Sequence, residues 1–479
     1  MLRWRERNKV SADAIPYYYN NEYHIFYLNA NADGSGWARS QTPWSHLVTK
    51  DLIHYTRLPD AIYPGNPTEH DGHACFTGSV IVKDGIWHIF YTGFSPLHPQ
   101  GREKIMHATS GDGIVFEKDE KNPFLTLDSR WYGADEDWRD PCVFWNEEEN
   151  CYFMTITTGA RNPVSNCQRG VIGLAKSNNL IQWEVLPPIY TPESYMPMEC
   201  SDPFKMNGKW YMLFSQYGFT EYRYADSLHG PWYRPENPVL DGGEGFFYAA
   251  KTLFDGKRRL LWGWCGTQEG GKDSRSGQWG GELVSPRELY VVGDGKLGVR
   301  LPEELLNAVT SEICKTKALL GDWREEGKSL KNTYKCGFSV MQVSEQCEDK
   351  LIHLRIDADE HFGTCGVLLN AAQDLSTYYC CRIDTGRKIL EVVRNGFSET
   401  VYGAVVQGVR QMACVPVTFE GRTFDLKILL KKNIAEIFLD NKTSITMRFS
   451  DFQSGIMALV AEDISAAFEV NLYDTGRVK

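Results

Sequence analysis

The sequence predicts an all-β protein, a five-bladed β-propeller followed by a C-terminal β-sandwich. Three observations predict it. A turn-and-strand signal recurs five times before about Tyr290, aromatic residues (13%) and 43 glycines suit a chain of many strands and turns, and the pattern changes after about Leu320. At 479 residues the chain exceeds what one hydrophobic core usually serves, so two domains are expected.

The recurring signal is an Asn-Gly or Asp-Gly type turn beside an aromatic and β-branched strand. Its copies are Asn20 to Tyr27, Lys83 to Tyr91, Asn146 to Thr155, Asn207 to Phe214 and Phe254 to Trp262. A segment precedes each turn and further strand-like stretches follow, as in one antiparallel sheet. Residues 1–297 are therefore assigned to five blades. Leu301 to Val309 has a proline at a helix start, acids in the first turn and apolar residues at helical spacing, so 298–320 reads as a linker with a short helix. From 321 to 479, stretches such as Leu351 to Ile356, Thr377 to Ile383, Ile389 to Val393, Phe424 to Leu430 and Ile434 to Leu439 lie between Gly, Asn and Asp turns, the pattern of a β-sandwich. No acids, histidines or cysteines gather there, and packing is its expected role.

Asp13, Asp140 and Glu199 each stand a few positions before a copy of the signal, which suggests one structural position repeated. If the segment before each turn is the innermost strand of its blade, the three acids meet at the central axis. Lys251 stands at a similar offset in the fifth copy, where it would bring a positive charge to the site or an intersheet ion pair. Trp262 and Trp264 stand two residues apart on one strand, and only one of them is expected to see ligand, the other being core.

A formal charge of −11 without a basic stripe argues against nucleic acid. No apolar stretch reaches the roughly 20 residues of a membrane helix. The charged start, Met1 to Arg7, is unlike a signal peptide, and 13 cysteines without a Cys-x-x-Cys pair read as reduced thiols, so a cytoplasmic protein is expected. His46, His73 and His107 lack metal-ligand spacing, and no phosphate-cradling glycine loop is present; neither metal nor cofactor is expected. The charge suits a neutral or weakly charged ligand, with loops 65–72, 161–169 and 270–277 rimming its pocket.

Trp138-Arg139-Asp140-Pro141 and Met198-Glu199-Cys200-Ser201-Asp202-Pro203-Phe204, together with Phe76-Thr77-Gly78-Ser79 and the run from Trp279 to Leu289, resemble the motif series of glycoside hydrolase family 32. The family comprises invertases, inulinases and levanases built as a propeller and a sandwich. The resemblance implies Asp13 as nucleophile, Glu199 as general acid/base and Asp140 as transition-state stabiliser. Trp37, Phe76, Thr77, Arg139, Tyr248 and Trp264 would bind substrate. Cleavage of β-fructofuranosidic bonds in an oligosaccharide or polysaccharide, with retention, is the implied activity. The alternatives are an inverting arabinose- or xylose-directed furanosidase and a propeller that binds carbohydrate without cleaving it. Crowding of three carboxylates is expected to leave a proton on Glu199. Ala12-Asp13-Ala14-Ile15-Pro16 stands where the family usually has Asn-Asp-Pro-Asn-Gly, and Leu28 where glutamine is common. These changes remove side-chain donors from the first subsite and point away from a plain fructose at a sucrose-like linkage.

Overall fold

The structure, a computed structural model, describes residues 3–32, 40–133, 137–165, 167–195, 197–268, 273, 278–333, 335–401 and 404–476. Its hairpins follow from local chemistry. Asn20 and Asn21, Asp84 and Gly85, and Asn207 and Gly208 all take positive φ, which a two-residue turn matched to the strand twist requires and which Asn, Asp and Gly adopt most cheaply. Among the described residues the single α-helix is Glu303–Asn307, opened by Pro302 and stabilised by acids in its first turn.

Five inner strands organise the N-terminal part: Lys9–Tyr19, Ala74–Lys83, Trp138–Asn146, Glu199–Met206 and Tyr248–Phe254. Each packs against the next in chain order, and the last packs against the first. Hydrogen bonding divides this region into sheets of nine, four, four and three strands, and none closes on itself. The nine-stranded sheet arises because Gln278–Leu283 pairs both with Arg259–Thr267 and, through Ser11 and Gly281, with the first inner strand. The end of the region is thereby bonded to its beginning.

Apolar clusters fill the spaces between neighbouring sheets. Ile81, Phe90 and Ile105 meet Trp138, Val143 and Met154, while Phe153 and Ile172 meet Trp210, Met212 and Phe214. Burying such large side chains contributes about 1.5–3 kcal/mol each. All 13 cysteines are free thiols.

The remaining strands form two layers of eight and seven strands sharing one core, with Ile352, Leu426 and Ile437 on one side and Val343, Cys365 and Leu390 on the other. Thr310–Glu312 and Lys317–Leu320, read from the sequence as linker, already pair with strands of these layers, Ala466–Asp474 and Phe338–Ser344.

The two parts are joined by charge as well as apolar contact. Arg287 and Asp241, both fully enclosed, approach to 2.7 Å, with Ser444 and Thr446 of the strand Thr443–Arg448 donating to the same carboxylate at 2.9 Å. Removing one partner of such a pair strands the other charge in a medium that solvates it poorly. Arg287→Ala is expected to lower the unfolding free energy by about 3–5 kcal/mol, measured by chemical denaturation, and an effect below about 1 kcal/mol would disprove this account.

Candidate active site

All five inner strands carry the same irregularity. Against its hairpin partner, each strand fits one extra residue: between Ala12 and Ile15, Phe76 and Gly78, Arg139 and Cys142, Glu199 and Asp202, and Tyr248 and Lys251. A regular strand sends consecutive side chains to opposite faces; a bulge breaks that alternation. Phe76 with Thr77, Arg139 with Asp140, Glu199 with Cys200 and Tyr248 with Ala249 therefore line one cavity in consecutive pairs, joined by Asp13, Leu28, Arg102, Glu103, Trp264 and Trp279. The cavity measures about 320 Å³. Asp13, Asp140, Cys200 and Ala249 hold positive φ (35°, 55°, 55° and 47°), a conformation that strains residues other than glycine.

The bulges refine the repeat read from the sequence. Asp13 and Asp140 occupy the same place, the first residue of the extra turn. Glu199 stands one residue earlier, level with Ala12, Phe76, Arg139 and Tyr248. Lys251 lies beyond the bulge and does not join the acids. It is buried and donates to the Gly78 carbonyl at 2.9 Å, beside a second cavity of about 580 Å³ toward the C-terminal ends of the inner strands. That larger cavity is lined instead by Ile15, Cys142, Asp202 and Arg259 and contains none of the three acids. Ile15, one of the residues that departs from the family pattern, thus faces away from the site; Leu28 faces into it. Trp37 and most of loop 270–277 lie outside the described residues.

Each acid has its own environment. Thr77 Oγ1 donates to Asp13 Oδ2 at 2.9 Å and Trp264 Nε1 to Oδ1 at 2.8 Å. Asp140 Oδ2 accepts from Thr157 Oγ1 and from the Cys200 backbone N–H, both at 3.0 Å, while its own N–H donates to Thr92 Oγ1. Glu199 accepts from Arg139 Nη2 at 3.1 Å and from the Tyr248 hydroxyl at 2.7 Å, and 32% of its side chain is exposed. Burial, reinforced by the nearby charges of Asp140 and Glu199, pushes the Asp13 carboxyl up to about 7 against the opposing bonds from Thr77 and Trp264. Burial thus acts on Asp13, which the sequence did not single out for enclosure, while Glu199 opens to the cavity and is paired with a cation.

Arg139 is the centre of charge. Its guanidinium bonds Glu103 at 3.0 Å, Asp137 and Glu199, and lies 3.8 Å from Asp140. Four carboxylates raise its proton affinity further, so it stays cationic. Glu103, Asp137 and Arg102 escaped the sequence reading because they sit in no motif and look like ordinary strand-end charges. Trp279 was visible only as part of a motif. It packs at 6.4 Å from Trp264 and 6.3 Å from Phe76, and Tyr248 meets Trp264 edge-on at 6.0 Å, giving the cavity an aromatic wall. Trp262, two residues from Trp264 and so on the same face of its strand, shares an apolar cluster with it and is fully buried. Among the described residues no group of three or more His, Cys, Asp or Glu is arranged to hold a metal ion, and no helix is long and apolar enough to cross a membrane.

Comparison with known proteins places this geometry in a lineage. The chain is 30% identical over 323 residues to a β-fructofuranosidase, insoluble isoenzyme 2, of Daucus carota, covering 60% of this chain and 52% of that protein. It is 30% identical over 311 residues to a raffinose invertase of Escherichia coli, covering 60% and 61%. The match thus spans between about half and three fifths of these relatives' length. In fold, an exo-inulinase from Aspergillus awamori superposes with a TM-score of 0.75 at 18% identity, over 98% of this chain and 97% of that one. A Bombyx mori GH32 β-fructofuranosidase superposes with a TM-score of 0.70 at 20% identity, over 98% and 93%. The sequence profile of the glycosyl hydrolases family 32 N-terminal domain matches residues 13–300, the stretch that carries all five bulged strands from Asp13 onward, and the chain belongs to that family.

Proposed function

We propose that the protein is a glycoside hydrolase that cleaves β-fructofuranosidic bonds in fructo-oligosaccharides, sucrose-like sugars or fructans with retention of configuration. One observation carries the reading: Asp13, Asp140 and Glu199 open into a single cavity with an aromatic wall, each held by a different set of partners. Cyclic packing of the bulged strands supports a five-bladed propeller over 1–297, and the two C-terminal layers support a sandwich joined to it near the short helix. Thirteen free thiols fit a reducing, cytoplasmic setting.

Asp13 attacks the anomeric carbon as nucleophile, oriented by Thr77 and Trp264, which leave its attacking oxygen little freedom. Glu199 gives its proton to the departing oxygen and then takes one from the water that releases the sugar. Arg139 and Tyr248 each hold one Glu199 oxygen, which fixes the carboxyl where it meets the departing oxygen. Asp140, with Oδ2 engaged, turns its other oxygen to sugar hydroxyls as the ring flattens and gains positive charge. Phe76, Tyr248, Trp264 and Trp279 offer flat faces to sugar C–H groups.

Attack requires Asp13 as the carboxylate. A carboxyl pushed up to about 7 is protonated below that pH, so kcat/KM of the free enzyme is expected to rise toward about pH 7 and to fall again on the alkaline side as the general acid loses its proton, a bell-shaped profile. A pH-rate profile without an acid limb would contradict Asp13 as nucleophile. Glu199→Gln keeps the shape but not the proton, and is expected to reduce fructose release from sucrose, inulin or levan by about 10²–10⁴-fold while leaving binding of the same sugar measurable. Proton NMR of the first-formed product should show the β-anomer. Inverted product would favour the arabinose- or xylose-directed alternative, and equal binding without cleavage by wild type and variant would favour a binding module.

A further inference from the structure

The strand Thr443–Arg448 sends Ile445 and Met447 into the C-terminal core and Ser444, Thr446 and Arg448 toward the N-terminal part, as the two-residue period of a strand requires. Ser444 and Thr446 serve the buried Asp241–Arg287 pair. Arg448 does something else. Its Nε donates to the Gly266 carbonyl at 2.8 Å and its Nη2 to the Cys265 carbonyl at 3.4 Å, while Nη1 lies 3.4 Å from Glu282 Oε1. Cys265 pairs with Glu282 and Gly266 with Gly281, the rungs immediately beside the Trp264–Leu283 rung. The guanidinium therefore grips both strands of one hairpin next to the tryptophan that bonds Asp13. Consecutive strand residues face opposite ways, so Cys265 meets the C-terminal core and Trp264 meets the cavity.

More clamps lie toward the hairpin tip. The Ser450 hydroxyl donates to Gln268. Asp273 accepts from Ser450 N at 2.8 Å and from the Tyr379 hydroxyl, with Arg394 3.4 Å away. These partners all belong to the C-terminal layers. The same hairpin also carries Trp279, which packs on Trp264 and Phe76.

We propose that Arg448 is a positioning residue for catalysis: by clamping this hairpin from the C-terminal layers, it fixes Trp264 Nε1 on Asp13 and Trp279 in the aromatic wall. The inference rests on the fructosidase reading for its kinetic consequence and on geometry alone for the rest. A planar fork with five N–H groups can bind two carbonyls and a carboxylate at once, which neither methionine nor the point charge of lysine can do.

Asp13 is faced by the carboxyls of Asp140 and Glu199, the Cys200 thiol, the Tyr248 phenol, and the hydrogen bonds of Thr77 and Trp264, with Arg139 and Glu103 lining the same cavity. The Trp264 bond favours the carboxylate, so loosening it shifts ionisation of Asp13 to higher pH.

The test compares wild type, Arg448→Met, Trp264→Phe and the double variant at 25 °C, well below unfolding. Arg448→Met is expected to lower kcat/KM for a fructo-oligosaccharide about tenfold and to move the acid limb upward by about half a pH unit. Trp264→Phe should move the limb in the same direction, and the double variant should add little to either. A readout independent of activity is the pH titration of the tryptophan fluorescence that Trp264→Phe removes; its midpoint should rise in Arg448→Met. A folded Arg448→Met that loses stability but keeps the wild-type acid limb, KM and fluorescence midpoint would overturn the proposal. If Arg448→Met does not fold, Arg448→Lys is judged by the same criteria. If no protein, wild type included, releases fructose, only the fructosidase reading falls, and the fluorescence midpoint still decides the role of Arg448.

Discussion

One extra residue in each inner strand is the constraint on which the site depends. Without it, a strand would show the cavity every second side chain, and Arg139 with Asp140, or Glu199 with Cys200, could not both face inward. With it, four of the five strands supply consecutive residues from two levels and the first supplies Asp13, so a cavity of about 320 Å³ receives acids, a cation and aromatic rings from positions far apart in the chain. Positive φ at Asp13, Asp140, Cys200 and Ala249 costs free energy at each position. Apolar packing between the sheets offsets that cost, and the arrangement persists because both neighbours of every inner strand hold it in place.

Gathering carboxylates creates an electrostatic problem that the same strands answer. Arg139, one residue before Asp140, bonds Glu103, Asp137 and Glu199 and lies near Asp140, so one guanidinium offsets much of their mutual repulsion. Asp13 has no ion pair among the described residues. It is held instead by two neutral donors, Thr77 and Trp264, which orient it without quenching its charge. Two carboxyls with unlike surroundings follow from two chemically different neighbours, a tryptophan N–H for Asp13 and a guanidinium for Glu199.

The C-terminal layers complete this picture from outside the cavity. None of their residues lines it, yet Ser444, Thr446 and Arg448 on one face of one strand reach the Asp241–Arg287 pair and the hairpin of Trp264 and Trp279. Read as a sequence, Thr443 to Arg448 alternates polar and apolar residues and passes for a solvent-facing strand. Its polar face is buried, a fact that belongs to docking of the two parts and leaves no trace in local periodicity.

What the sequence determined by itself was local: the turns, because Asn20, Asp84 and Asn207 adopt positive φ at less cost than most residues, and the short helix, because Pro302 and two acids favour its start. It also marked the three acids, through their place before the recurring signal and their motifs. Only tertiary structure decided that Glu199 stands one level from Asp13 and Asp140, that Lys251 serves the second cavity, that burial acts on Asp13 while Glu199 pairs with a cation, and that Glu103, Asp137 and Trp279 join the site. The physical reason is common to all of them. A bulge is a misfit between two strands, and burial or charge pairing is a relation among several, so none of these is a property of any one segment of chain.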